Sequence, residues 1–190
     1  SNLAATRVSS SGYIEKGREN VLLQSNTFDT TWNSVDVTMT GGQSGYDGTN
    51  DAWELDSTAG SLRQTISQSG VFTFSCYAKA GTAPRIRFRL NASTDANCYV
   101  DLSNGVGTHT GIALDVADMG GGWYRIALSH NDSALSDIRI YATDSSDIAT
   151  TGSVYIQDAQ LESGLVSTSV ITTTTTSVSA GILEDMPRLD

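Results

Sequence analysis

Across residues 70–81 apolar side chains fall on every second position: Phe72, Phe74, Cys76 and Ala78 alternate with Thr73, Ser75, Tyr77 and Lys79. In an extended strand successive side chains point to opposite faces, so this stretch buries an aromatic-rich row and turns a polar row outward. A helix would scatter both rows, and aromatic residues suit a pleated, half-buried surface. The same period recurs along the chain. Val35, Val37 and Met39 alternate with Asp36 and Thr38; Trp53 and Leu55 with Ala52, Glu54 and Asp56; Leu62, Gln64 and Ile66 with Arg63 and Thr65. The sharpest case is 85–90, where Arg85, Arg87 and Arg89 take one face and Ile86, Phe88 and Leu90 the other. Further rows are Cys98, Val100, Leu102; Ile112, Leu114, Val116; Tyr124, Ile126, Leu128; and Ile138, Ile140, Ala142, the last opposed by Arg139 and Tyr141. Residues 154–161 change phase near Asp158, as a bulge requires. Strands at this short spacing, with no helical period between them, predict an all-β sandwich or barrel.

The pattern divides the chain into a short N-terminal segment (1–19), one β domain (20–165) and a C-terminal arm (166–190). Residues 5–8 and 12–15 read as two extended pieces around the turn-forming 9–12. Phe28 and Trp32 flank the Asp29-Thr30-Thr31 turn and are expected to plug one end of the core. The Thr-rich run 172–176 is low in complexity and, as an extended exit arm, is expected to bury little. Apolar residues left unpaired in 181–190 predict a piece of a larger protein or oligomer.

Length and charge narrow this picture. One sandwich accommodates 190 residues, and 17% charged residues with 18 Gly and 2 Pro describe a loop-rich globular chain. A net charge of -10 argues against nucleic acid or an anionic membrane as main partner, since both reward clustered Lys and Arg. No apolar run is long enough to cross a bilayer, and no secretory signal pattern is present at Ser1. Cys76 and Cys98 both fall on apolar sides of strands; two buried free thiols are the first reading and a disulfide the second.

The outward rows carry the candidate chemistry. Tyr77, Tyr99 and Tyr141 could stack on sugar faces, while Arg85, Arg87, Arg89 and Arg139 offer planar forks for hydroxyls, carboxylates or sulfates, which favours an acidic sugar. The competing reading pairs these arginines across strands with Glu54, Asp101 or Asp115. Catalysis is not expected. His109 and His130 have no nucleophile motif beside them, and Gly120-Gly121-Gly122 lacks the Lys and Ser/Thr of a phosphate loop. The pairs Asp115/Asp118 and Glu184/Asp185 are near in sequence, which does not set the separation a glycosidase needs.

Taken in order, the segment 20–28 (Asn-Val-Leu-Leu-Gln-Ser-Asn-Thr-Phe), Trp32, the 72–79 strand, Gly122-Trp123-Tyr124-Arg125 and 156–162 (Ile-Gln-Asp-Ala-Gln-Leu-Glu) resemble a repeated domain of bacteriophage tail-fibre and related virion proteins. That domain is similar to jelly-roll carbohydrate-binding modules. The resemblance covers roughly residues 20 to 165, and the flanking segments resemble linkers between such domains. It implies an antiparallel two-sheet jelly-roll sandwich that presents loops or a sheet face to host-surface glycan within a fibre, as a homotrimer or beside neighbouring virion domains. It also implies, in some modules, a structural calcium, with Asp158 the matching position here. A purely structural spacer or capsid decoration domain that mediates oligomerisation is the alternative.

Overall fold

The computed structural model describes residues 6–8, 14–16, 18–94 and 96–180. Among these there is no helix. The strands are β1 (Thr6–Val8), β2 (Ile14–Lys16), β3 (Arg18–Asn20), β4 (Asn33–Gln43), β5 (Ala52–Ala80), β6 (Arg85–Asn91), β7 (Ala96–Asp101), β8 (Gly107–Thr110), β9 (Ala113–Gly120), β10 (Trp123–Thr143), β11 (Thr151–Ser163) and β12 (Val178–Ala180).

β5 and β10 are too long to serve one sheet, and each bends so that its parts join two. Within β5, Ala59 takes φ 69° and Gly70 φ 84°, the left-handed region that breaks a straight strand. At Gly60 a Cβ would lie 1.9 Å from the Val35 carbonyl oxygen, so only glycine fits the first bend. β10 slips register on either side of Leu135. The first sheet runs, in order, through 37–43 of β4, 52–58 of β5, β11, 71–80 of β5, 123–132 of β10 and β9. β11 lies between two parts of the same strand, Ile156 pairing with Trp53 on one side and Ala78 on the other. On both sides partner numbers fall as β11 numbers rise, the antiparallel sense. The second sheet runs through 33–35 of β4, 61–65 of β5, 137–143 of β10, β6, β7 and β8. The result is an all-β, antiparallel, two-sheet jelly-roll sandwich.

Most inward rows are those the alternation predicts; Val35, expected in a row with Val37 and Met39, is instead exposed, because the strand slips register at Asp36, φ 51°. Phe72, Phe74, Cys76 and Ala78 face Ile86, Phe88, Leu90, Cys98, Val100, Ile138 and Ile140 in one continuous core. The rings of Phe74 and Phe88 meet edge-to-face at 5.2 Å, and each such burial stabilises the fold by roughly 1.5–3 kcal/mol. Phe28 and Trp32, ring centroids 5.2 Å apart, join this core. Both cysteines are free and buried, and burial pushes the Cys98 thiol up to about 12. The phase change in β11 is a bulge. Gln157 pairs with Tyr77 and Gln160 with Ser75, leaving Asp158 at φ 54° and Ala159 outside the ladder.

β1 and β2 pair antiparallel, as the two extended N-terminal pieces suggest; residues 9–13 and 181–190, including Glu184 and Asp185, lie outside the described residues. β12 pairs with β3 beside the sandwich. Before it, the chain from Gly164 to Thr173 lies extended along the outer face of the first sheet, with Ile171 and Thr173 buried. The Thr-rich composition does not announce that burial.

Candidate functional site

The two sheets have opposite outer faces, and the outward residues of β6, β7 and β10 converge on that of the second. Directly paired residues of antiparallel strands project to the same side, so the register gives a lattice of rows. One row is Arg63–Arg139–Arg89–Asn97, the next Tyr141–Arg87–Tyr99, and the third Thr143–Arg85–Asp101. Six of the seven ligand-binding residues expected from sequence, Arg85, Arg87, Arg89, Tyr99, Arg139 and Tyr141, therefore share one surface, all of them half-buried.

At its centre the Arg87 guanidinium lies between two rings, its Cζ 4.9 Å from the Tyr141 centroid and 5.3 Å from that of Tyr99. Its Nε and Nη2 both donate to Asn97 Oδ1, at 3.0 and 2.7 Å. Arg139 forks Asp137, Nε to Oδ1 at 2.6 Å and Nη2 to Oδ2 at 3.2 Å, while Asn91 Nδ2 donates to Oδ2 at 2.8 Å. Burial opposes ionisation of Asp137, but the hydrogen bonds from Arg139 and Asn91 and the charges of Arg139 and Arg63 outweigh it and hold its pKa below the usual range. Arg85 pairs with Asp147 at 2.6 Å and lies near enough to Asp101 to favour its charge, behind the larger effect of Ser103. Neither Glu54 nor Asp115 supplies these pairs. Arg63 Nε is buried with no hydrogen-bond partner. Arg63 also borders a groove of about 710 Å³ that runs past Asn33, Gln64 and Gln68 to Val21 and Leu23.

Tyr77 does not belong to this surface, which corrects its grouping with the arginines. It points outward from the first sheet, where it is buried: Tyr46 stacks on it with centroids 3.6 Å apart and planes 2° from parallel. Trp123 lies beside the pair, and Arg125 Cζ sits 5.5 Å from the Tyr77 centroid. Alternation tells which side of its own strand a residue faces; it does not tell which of two sheets owns the strand.

Asp158, the calcium position by resemblance, is also on this covered side. Its carboxylate accepts from the Tyr46 hydroxyl at 3.2 Å, and its amide donates to Asn26 Oδ1 at 3.1 Å. Burial chiefly, with Asp51 and Asp47 nearby, pushes its pKa up to about 6, against the opposing effects of Tyr46 and Arg125. Among the described residues no group of three or more His, Cys, Asp or Glu is placed to hold a metal ion.

The positions considered for catalysis are scattered. His109 is exposed on β8; His130 is packed against Phe72, 3.4 Å from Asp132, whose oxygens accept from Ser93, Thr94 and Ala134. Asp115 and Asp118, three apart on β9, point to opposite faces. Three members of the open surface, Arg63, Asn97 and Asp137, are assigned no role by the sequence pattern. Arg63 stands alone among uncharged neighbours, and only its pairing with Arg139 brings it into the array.

No protein-family model and no curated sequence matches the chain. Among solved structures it is similar to the CBM22-1 xylan-binding domain of Paenibacillus barcinonensis Xyn10C, at 13% identity and TM-score 0.48 over 78% of this chain and 94% of that one. The enzymatically active domain of bacteriophage CBA120 tailspike protein 4 aligns at 16% identity and TM-score 0.46 over 77% of this chain. The CBM22-1-GH10 modules of Clostridium thermocellum xylanase 10B, complexed with xylohexaose, align at 17% identity and TM-score 0.44 over 75%. The chain spans 21% of the tailspike structure and 27% of the xylanase structure. These are likenesses of strand arrangement.

Proposed function

We propose that this chain is a non-catalytic module of a virion surface, a phage tail fibre or adhesin, and that it binds host-surface carbohydrate through the outer face of its second sheet. The observation that carries the reading is the Tyr141–Arg87–Tyr99 row. Two aromatic rings flank a planar donor on a half-buried surface, which combines sugar-ring stacking with hydroxyl recognition. The virion setting rests on the resemblance of the sequence motifs to phage fibre domains. Binding measured on an array of bacterial surface glycans tests it: the native chain is expected to retain at least one glycan, and Tyr141→Ala or Tyr99→Ala to lose that retention with the circular dichroism spectrum unchanged. Retention equal to the native protein in both variants would remove this face from the proposal.

A structural spacer is the second reading, favoured by one observation. Among the described residues β9 pairs on one side only, with β10, and Leu165 and Val166 beside it are 69% and 62% exposed. An unpaired edge flanked by apolar side chains invites association with another copy, a homotrimer in a fibre. A blank glycan array together with a stable trimer in sedimentation would favour the spacer.

A further inference from the structure

Among the described residues, three arginines of the second sheet's outer face, Arg63, Arg139 and Arg87, have a single carboxylate between them, that of Asp137. Arg63 and Arg139 are direct cross-strand partners, an arrangement that destabilises a sheet when both side chains carry the same charge. Asp137 offsets one of them, with both its oxygens engaged by Arg139 and Asn91. Among the described residues Arg63 forms no ion pair, and its Nε is buried without a hydrogen-bond partner. One step along the lattice, Arg87 is bonded to an amide oxygen, not a carboxylate. Among the described residues these three guanidinium groups thus share one carboxylate, on a protein whose net charge is -10. Where carboxylates are so abundant, leaving these arginines without them is a feature of the site and not of the composition.

We propose, building on the carbohydrate-binding reading, that the ligand is an anionic glycan whose carboxylate or sulfate is taken by Arg63 and Arg139, while a neighbouring sugar ring lies on the Tyr141–Arg87–Tyr99 row. Arg63 is a specificity-determining residue of this site. The Arg63 guanidinium, unlike the Arg139 fork held by Asp137, is able to match a carboxylate or sulfate bidentately, and the groove beside it, lined by Gln68 and Asn33 with the Glu19 carboxylate further along, offers amide groups to hydroxyls of a neighbouring sugar. A nucleic acid would offer anions too, but it would meet the field of an acidic protein with little basic surface around this patch.

Affinity electrophoresis of the full chain separates the outcomes. The probes are oligogalacturonate and its neutral methyl ester, dextran sulfate and dextran, and a single-stranded DNA oligonucleotide. At least one anionic glycan is expected to bind about tenfold more tightly than its neutral counterpart, and added salt to weaken it. The carboxylate and sulfate arms tell which anion the site takes. Arg63→Gln is expected to reduce that binding about tenfold, Arg63→Lys to give an intermediate loss because charge survives without the fork, and Lys79→Gln, outside the lattice, to change nothing. Equal binding of charged and neutral forms would overturn the inference and leave the carbohydrate-binding reading standing. A Lys79→Gln loss as large as that of Arg63→Gln would reduce it to bulk electrostatics, and DNA retained with the same Arg63 dependence would overturn the glycan class. Failure of every glycan, on these gels and on the array, would overturn both.

Discussion

The two outer faces of the sandwich start from the same strand alternation and end differently. On the first sheet the outward row of polar and aromatic residues is covered by the protein's own chain. Tyr46 lies flat on Tyr77, Thr73 Oγ1 donates to the Gly164 carbonyl at 2.7 Å, Ser129 Oγ to that of Leu165 at 2.9 Å, and Arg125 to that of Thr168. On the second sheet the outward rows bond mainly to one another, and their arginines and tyrosines stay half-buried. A buried polar group must be satisfied, so the covered face is expected to carry stability. The second face leaves buried groups such as Arg63 Nε and Thr143 Oγ1 without a hydrogen bond, and its arginines are expected to carry recognition.

The sharpest way to break that contrast is Asn20→Ala. Asn20 is fully buried; its Nδ2 donates to the carbonyls of Ala159 and Ile171, and its Oδ1 accepts from the amides of Leu22 and Leu161. Four backbone groups would lose partners at once, so a loss of about 3–5 kcal/mol is expected in urea denaturation. Limited proteolysis should then cut in 164–173, because Asn20 ties that segment to β11. A loss under about 1 kcal/mol would mean the covering segment is an ornament.

Glu162 gives the next largest effect. It is 1% exposed, and its oxygens accept from the Thr168 amide and hydroxyl and from Gln160, with Arg18 at 3.4 Å. Glu162→Gln keeps the shape but turns an amide NH2 toward donors, and about 2 kcal/mol of destabilisation is expected. Chemical denaturation of the variant at pH 7 measures it.

Asp158 sharpens the comparison through pH. Its folded pKa is raised from 3.8 to about 6, so the folded protein holds a proton that the unfolded chain has released between those values. Stability from this group therefore falls as pH climbs from about 4 to 6 and is flat above. Asp158→Asn, which keeps an oxygen for the Tyr46 hydroxyl and tolerates φ 54°, should remove the fall. The variant is expected to be more stable than the native protein at pH 8, by about 1–3 kcal/mol, and equal to it near pH 4. Melting curves across that range check the sign.

Alternation made the core legible because a period of two is imposed by the backbone itself, and the rows from Phe72 to Ala78 and Ile86 to Leu90 are where it places them. The Asp158 bulge was legible for the same reason, as a break in phase. Long-range covering was not. Nothing local distinguishes Tyr77, which lies under Tyr46, from Tyr99, which does not. Ile171 and Thr173 sit in a stretch whose composition reads as linker, yet they are buried because Gln160, Ser25 and Leu22 offer partners to their backbone and side-chain groups. Arg63 escaped assignment because its neighbours in space, Arg139 and Asp137, are more than seventy positions away.

The smallest stability effect is expected where the largest binding effect is. Arg87→Ala removes two hydrogen bonds to Asn97 and the contacts with Tyr99 and Tyr141, but all of these are half-exposed. Water can rehydrate Asn97, and a cation over a ring at a partly exposed site contributes only about 0.5–1 kcal/mol, so a total loss near 1 kcal/mol is expected. Retention on glycan should nevertheless disappear, because the planar donor and the spacing of the two rings depend on the same guanidinium. Urea denaturation and glycan retention measured on the same preparation separate the two quantities. If Arg87→Ala cost as much stability as Asn20→Ala, the second sheet's outer face would be held together as tightly as the first's, and the division of labour between them would fail. If it cost little and bound glycan as before, the face would be open but idle, and the arginine lattice would need another reason to exist.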